Sequence, residues 1–148
     1  MDGIYPVTEF RFASSSGTGL QTSDQSIWSD IAGLVLPVPY SVSSVFLVTL
    51  TVPDTWNDRS SCGANFRIVL RSTSHGLPLD IDLGQGFYLS DTANQRVPFS
   101  LVCKAERVPD KNDNTAIVAQ WRAWQGGMAY IGPLGLSSLA AVGSVASG

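Results

Sequence analysis

Ionic side chains are scarce in this chain. Asp, Glu, Lys and Arg make up 14% of its 148 residues, against about 25% in a typical soluble domain. The nine basic residues form no stripe and the formal net charge is −3, which excludes a nucleic-acid partner held through its phosphates. Histidine occurs once, as His75 between Ser74 and Gly76, and reads as an exposed turn residue. A metal-dependent enzyme built on clustered His and carboxylates therefore has no material. A Ser/His/Asp hydrolase would depend on that one imidazole, without a Gly-x-Ser-x-Gly elbow to present its nucleophile. Two cysteines make no disulfide framework. Cys103 lies in an apolar alternation and reads as a buried free thiol. Cys62 lies in a loop-like stretch, and most cysteine pairs so far apart fail the geometry of a bridge. No apolar run approaches the ~20 residues that span a bilayer, so membrane insertion is not expected. The opening Met-Asp-Gly-Ile-Tyr-Pro lacks the basic and apolar regions of a secretory signal. Synthesis in the cytoplasm is expected, with any release or surface export by a non-classical route.

What is present is apolar and hydroxylic. Hydrophobic residues make up 44%, and 19 Ser and 9 Thr supply much of the polar surface. A chain of this length buries roughly two thirds of its surface on folding, enough for a core without staples. No segment of helical length carries an i, i+3, i+4 apolar stripe. Short β-rich runs bounded by turn residues recur instead, at 8–13, 26–37, 43–52, 65–72, 87–89, 97–107, 115–125, 128–131 and 136–145. In the second, Ile27, Ile31, Leu34 and Leu36 are the expected core anchors, and Pro37 and Pro39 the breakers. In the third, Phe46, Val48, Leu50 and Val52 share one face and Thr49 and Thr51 the other. Phe66, Ile68 and Leu70 oppose Arg67, Val69 and Arg71 in the fourth, and Val97, Phe99, Leu101, Cys103 and Ala105 line one face of the sixth. The segments 53–63 and 73–86 read as loops, 14–19 as a connector, 109–114 as a hairpin tip and 143–148 as a tail. Ser137, Ser138 and Gly143 are poor helix formers, so the last apolar run reads as a strand. Eight to ten strands at roughly 10–12-residue spacing predict an all-β sandwich or jelly roll. One domain covers 25–142, with residues 1–24 contributing an N-terminal strand and connector to it.

Little chemistry is legible beyond that. Asp80 and Asp82 lack the further ligands calcium would need nearby and read as solvated turn acids. Gly84-Gln85-Gly86 lacks the rest of a dinucleotide fingerprint and sits among strands. No pair of carboxylates is singled out for glycoside chemistry. The expectation is no enzyme and no cofactor. Aromatic side chains do stand beside planar polar groups: Trp56 in the segment Pro-Asp-Thr-Trp-Asn-Asp-Arg, Tyr88 near Asn94-Gln95-Arg96, and Gln125 at the Gly126-Gly127 turn. An aromatic ring can lie under the C–H face of a sugar while Arg, Asn or Gln meet its hydroxyls. Trp121, in mid-strand, reads as core or subunit contact.

Five short segments occur in a telling order: Ile31-Ala32-Gly33-Leu34, Leu50-Thr51-Val52-Pro53, Arg96-Val97-Pro98-Phe99-Ser100-Leu101-Val102, Gln120-Trp121-Arg122 and Leu136-Ser137-Ser138-Leu139-Ala140. On them the chain resembles the TNF-like fucose-binding lectin family, typified by the N-terminal domain of a two-domain bacterial superlectin of Burkholderia. The resemblance implies a TNF-like jelly-roll homotrimer that binds fucosylated or related cell-surface glycans without calcium, in pockets between protomers. Carried over residue by residue, the family's pocket falls on Trp56 and Phe66 (tyrosines in the family), Phe87 and Tyr88 (Thr-Tyr), Ala93 and Asn94 (Ser-Thr), Arg96 (retained) and Gln125 (arginine). Glutamine offers one uncharged donor group and one acceptor where arginine offers a charged fork, so the implied pocket is more apolar than the family's. The alternative is a trimeric TNF- or C1q-like module that recognises protein and binds no sugar.

Overall fold

The computed structural model describes residues 8–15, 20–38, 45–72, 79–106 and 115–144. Ten strands form there: β1 (Thr8–Ser15), β2 (Leu20–Thr22), β3 (Ser29–Val38), β4 (Val45–Asn57), β5 (Cys62–Ser72), β6 (Leu79–Ser90), β7 (Val97–Glu106), β8 (Thr115–Trp124), β9 (Ala129–Ile131) and β10 (Ser137–Ser144). In one sheet β1, β10, β4 and β7 lie side by side, and the short β9 and β2 continue it beyond β10 along the same edge of β4. The other sheet runs β3-β8-β5-β6. All pairings are antiparallel, and most join strands distant in sequence. This is the crossed strand order of a jelly roll, as the strand spacing predicts. Of the connector read at 14–19 and the tail read at 143–148, Ser14 and Ser15 belong to β1 and Gly143 and Ser144 to β10; the rest of both, with 73–78 and the hairpin tip 109–114, lies outside the described residues.

Strict period-two alternation drives the packing. Phe46, Val48, Leu50 and Val52 of β4 are at most 1% exposed and meet Ile68, Phe66, Ile117 and Trp121 of the facing sheet in one cluster. Phe66 has no exposed surface, and its ring stacks on Phe99 at 4.6 Å and on Trp121 at 6.0 Å. Trp121 is core, as its mid-strand position suggests. Cys62 and Cys103 are both free thiols; contrary to expectation Cys62 is the buried one, at the start of β5, and Cys103 is only half-buried.

Four expectations are corrected. The segment 53–63 is mostly strand: β4 runs through Pro53 to Asn57 because a register shift between Val52 and Thr55 absorbs the proline in a bulge. The segment 79–86 is strand as well, although its Asp and Gly residues read as a loop. Its acids pair across the strands, Asp80 with Arg71 and Asp82 with Arg67. Gly84 and Gly86 face inward where a Cβ would press on Cys103 and Phe99 of β7, so small residues let β6 close the sandwich on that side. Pro37 does not break β3, which is an edge strand and tolerates it. Ile27 is exposed, because β3 begins only at Ser29.

The outward face of the first sheet carries an apolar band two rows deep. Phe10, Val142 and Leu47 align in one row, which ends at Lys104, and Phe12, Ala140, Thr49 and Val102 align in the next. Phe10, Phe12, Leu47, Val102 and Val142 are all exposed in the single chain. Below them the row Ser14, Ser138, Thr51 and Ser100 is polar. A contiguous apolar surface of this kind marks an interaction site.

Candidate functional site

Three connections gather at one end of the sandwich: 58–61 after β4, 91–96 before β7, and 125–128 after β8. Asn57, 1% exposed, ties them together through its side chain and its backbone carbonyl. Its Nδ2 donates to the carbonyls of Gly63 (2.9 Å) and Gly126 (3.0 Å), and its Oδ1 accepts from the Arg59 amide (2.9 Å). Its backbone carbonyl accepts from the Asn94 amide at 2.8 Å. Asp58 adds a further tie, accepting from the Met128 amide at 2.9 Å. Backbone groups that turns would leave unpaired are thus satisfied from one buried side chain.

Beside this hub lies a row across three strands. Thr55 pairs with Val97 on one edge of β4 and with Ile131 on the other, so Trp56 stands between Arg96 and Tyr130. The Arg96 guanidinium lies 4.1 Å from the Trp56 ring, and Tyr130 stacks on that ring at 5.1 Å and 10°. Arg96 is fixed by Asp54, whose Oδ2 accepts from Nη1 at 2.9 Å. Asp54 is 2% exposed and also accepts from the Leu134 amide at 3.1 Å. Gly132 completes the wall, since a Cβ there would run into the Asp54 carboxylate and the Trp56 ring. Trp56 and Arg96 therefore belong to one wall of one protomer. The indole, with Arg96 and Tyr130 on its flanks, offers its edge. The Arg96 side chain is about half exposed and uses one nitrogen on Asp54.

The other expected site residues scatter. Asn94 and Gln125 are exposed in the connections at this end of the sandwich, both in left-handed backbone (φ 64° and 68°). Ala93 shares the turn with Asn94. Tyr88 is mostly buried. Thr55 Oγ1 spends its proton on the Tyr130 carbonyl at 2.7 Å, so the Tyr88 hydroxyl donates to Thr55 Oγ1 at 2.9 Å. Phe87 points to the outer face of the second sheet and meets Trp124 at 5.2 Å. Phe66 is corrected: its ring is interior and touches no solvent, so it can contact no ligand. Asp54, Asn57, Tyr130 and Gly132 were not singled out from sequence. The one signal for the first two is that both lie within two residues of Trp56.

Burial pushes the Tyr88 hydroxyl up to about 12. The neutral phenol is thus favoured in the fold. Its contribution to stability is fully present below the ordinary value of 10 and is lost as pH rises from there through about 12. In an alkaline absorbance titration Tyr88 is expected to ionise late, near 12. Tyr88→Phe should remove that late component, and its persistence would refute the assignment.

Among the described residues no group of three His, Cys, Asp or Glu could hold a metal ion, and no helix is long and apolar enough to cross a membrane. No family model matches the chain. No curated protein matches it either. Among solved structures it is similar to the Eiger TNF of S. frugiperda, with 15% identity and a TM-score of 0.47 over 97% of this chain and 96% of that one. It is also similar to the VP2 subviral particle protein of infectious bursal disease virus, with 13% identity and a TM-score of 0.48. There the match covers 95% of this chain and 38% of the viral chain.

Proposed function

We propose that this chain is a multivalent, calcium-independent lectin for fucosylated or related glycans, assembled as a homotrimer with its sugar sites at protomer boundaries. The observation that carries the reading is the Asp54–Arg96–Trp56–Tyr130 wall. A buried carboxylate and an indole hold one arginine in a fixed orientation, at the end of the sandwich where the turns of Asn94 and Gln125 also lie. A fixed guanidinium edge suits a pair of neighbouring sugar hydroxyls. The indole edge and the aliphatic part of Arg96 supply apolar contact for the C–H face. One wall alone makes a shallow site, and the second wall comes from a neighbouring copy. The exposed band of Phe10, Phe12, Leu47, Val102 and Val142 gives such a copy its seat. Three weak sites on one rigid body then bind a glycan-covered surface by avidity.

The test is a glycan array and titration with fucosylated oligosaccharides on wild type and Arg96→Ala, with sedimentation of each. Wild type should sediment as a trimer and bind equally with a calcium chelator present. Losing a charge-assisted contact of about 1.5–3 kcal/mol should weaken Arg96→Ala roughly tenfold to a hundredfold. Equal binding by both proteins refutes the site, and a monomer refutes the assembly. A trimer that binds no glycan would favour the protein-recognition module.

A further inference from the structure

The wall at Arg96 does not end at Tyr130. Tyr130 of β9 pairs with Gln21 of β2. A single row, Arg96–Trp56–Tyr130–Gln21, therefore runs from the start of β7 across β4 and β9 to β2. Strand alternation sets which way the row faces. Thr55, Asn57, Ala129, Ile131 and Thr22 are buried and Leu20 packs against the core, so the residues between them point away from it. With neighbouring strands about 4.8 Å apart, the row is roughly 14 Å long, more than one pyranose ring covers.

The row is held in place while its polar atoms stay open. The Tyr130 ring lies against Trp56 at 5.1 Å, and its backbone carbonyl accepts from Thr55 Oγ1 at 2.7 Å. Gln21 sits between two inward-facing residues on a strand paired to β9, and Thr22 Oγ1 accepts from the Asp24 amide at 3.3 Å. Among the described residues the Trp56 indole N–H, the Tyr130 hydroxyl and the Gln21 amide have no hydrogen-bond partner, and none of them is shut off from solvent. The outer face of the second sheet is the contrast. There Arg71 bonds to Asp30 and Asp80, and Gln120 to Arg67 and Asp30. Along the Arg96 row no such partner is present, so its groups meet a ligand without breaking protein contacts. Groups already fixed in place lose little freedom on binding. The set is a guanidinium, an indole donor, a phenol and an amide in line, separated by aromatic edges. It suits neutral hydroxyls spaced along linked pyranose rings.

We infer that Tyr130 and Gln21 form a second subsite of this wall, which takes the sugar linked to the one held at Arg96, so that the smallest complete ligand is a disaccharide. The inference rests on the lectin reading above and adds a length requirement to it. The Tyr130 hydroxyl, donor and acceptor at once, and the Gln21 amide meet hydroxyls of the second ring, and the edge of the Tyr130 ring meets its C–H face. No side chain has to move to admit it, and all four residues of the row belong to one protomer.

The experiment is a calorimetric titration of the intact chain with methyl α-L-fucoside and with the α-L-fucosyl-galactoside disaccharides that differ in linkage position. Wild type, Gln21→Ala and Tyr130→Phe are compared. Wild type should prefer at least one disaccharide over the monosaccharide by about tenfold or more, the worth of two or so neutral hydrogen bonds. Each variant should cut that preference by about threefold to tenfold; Tyr130→Phe keeps the ring on Trp56 and removes only the hydroxyl. In NMR spectra of the wild-type complex, galactose ring protons should lie close to the Tyr130 ring protons. The subsite is overturned, and the lectin reading kept, if fucoside binds and no disaccharide binds better, if the preference survives in both variants, or if the galactose protons approach only residues beyond Arg96. If no ligand binds at all, both readings fail. The affinity ratio and the NMR contacts are measured on wild type, so a variant that fails to fold leaves the test intact.

Discussion

Phe66→Ala is expected to cost about 3–5 kcal/mol of stability, the range for removing a large buried aromatic ring. For a chain of this size that lowers the melting temperature by roughly 6–20 °C. The magnitude follows from its surroundings. The ring has no exposed surface and stacks on Phe99 from one sheet and Trp121 from the other. Neither neighbour can move in without leaving its own partners, so the cavity persists. Phe66→Leu should recover much of the loss because it restores most of the volume. The same pair of variants addresses the role that the family alignment gives this position. A core residue changes melting while the folded protein keeps its glycan affinity. A ligand contact would change affinity in both variants.

Asn57→Ala should be the second most damaging change, at about 2–4 kcal/mol. Three hydrogen bonds of about 1 kcal/mol each are lost, and buried carbonyls are left without their donor. Asn57→Asp is informative because it is nearly isosteric. A carboxylate can still accept from the Arg59 amide, but it has no hydrogen for Gly63 or Gly126 and places negative charge against both carbonyls. It should be at least as destabilising as alanine. Denaturant unfolding gives the cost. Hydrogen exchange should show faster opening in 58–61 and 125–128 together, whereas 91–96, held by the Asn57 backbone carbonyl, should be less affected. A loss under about 0.5 kcal/mol, or exchange confined to one loop, would refute the role of Asn57 as the tie between them.

The alternation of β4, β5 and β7 was legible residue by residue because each of these strands has one core face. Phe46, Val48, Leu50 and Val52 needed no structure to be placed. Two strands were hidden by their own irregularities. Pro53 and Asp54 read as loop, yet a bulge carries β4 past them. Asp80, Asp82, Gly84 and Gly86 read as turn, yet the acids pair with arginines of β5 and the glycines make room for β7. Composition signals a loop whenever polar and small residues cluster, and cross-strand partners that reverse the meaning are far away in sequence. The candidate site divides the same way. Trp56, Arg96, Asn94 and Gln125 do gather at one end. Their anchors, Asp54 and Asn57, act through carbonyls and amides of distant segments, which no local pattern records. The family resemblance supplied Phe66 as a pocket residue by position alone, and only the packing of its ring reveals that the position faces inward.

The edges of the second sheet bear on how copies can associate. β3 is one free edge, and it offers a poor template for an added strand. Pro37 removes a donor, and the register shift between Asp30 and Val35 breaks the even spacing of the remaining groups. Ribbon-like growth by strand addition is therefore blocked on that side. Concentrating the protein should yield closed assemblies of fixed size, with no fibrillar material nucleated from β3.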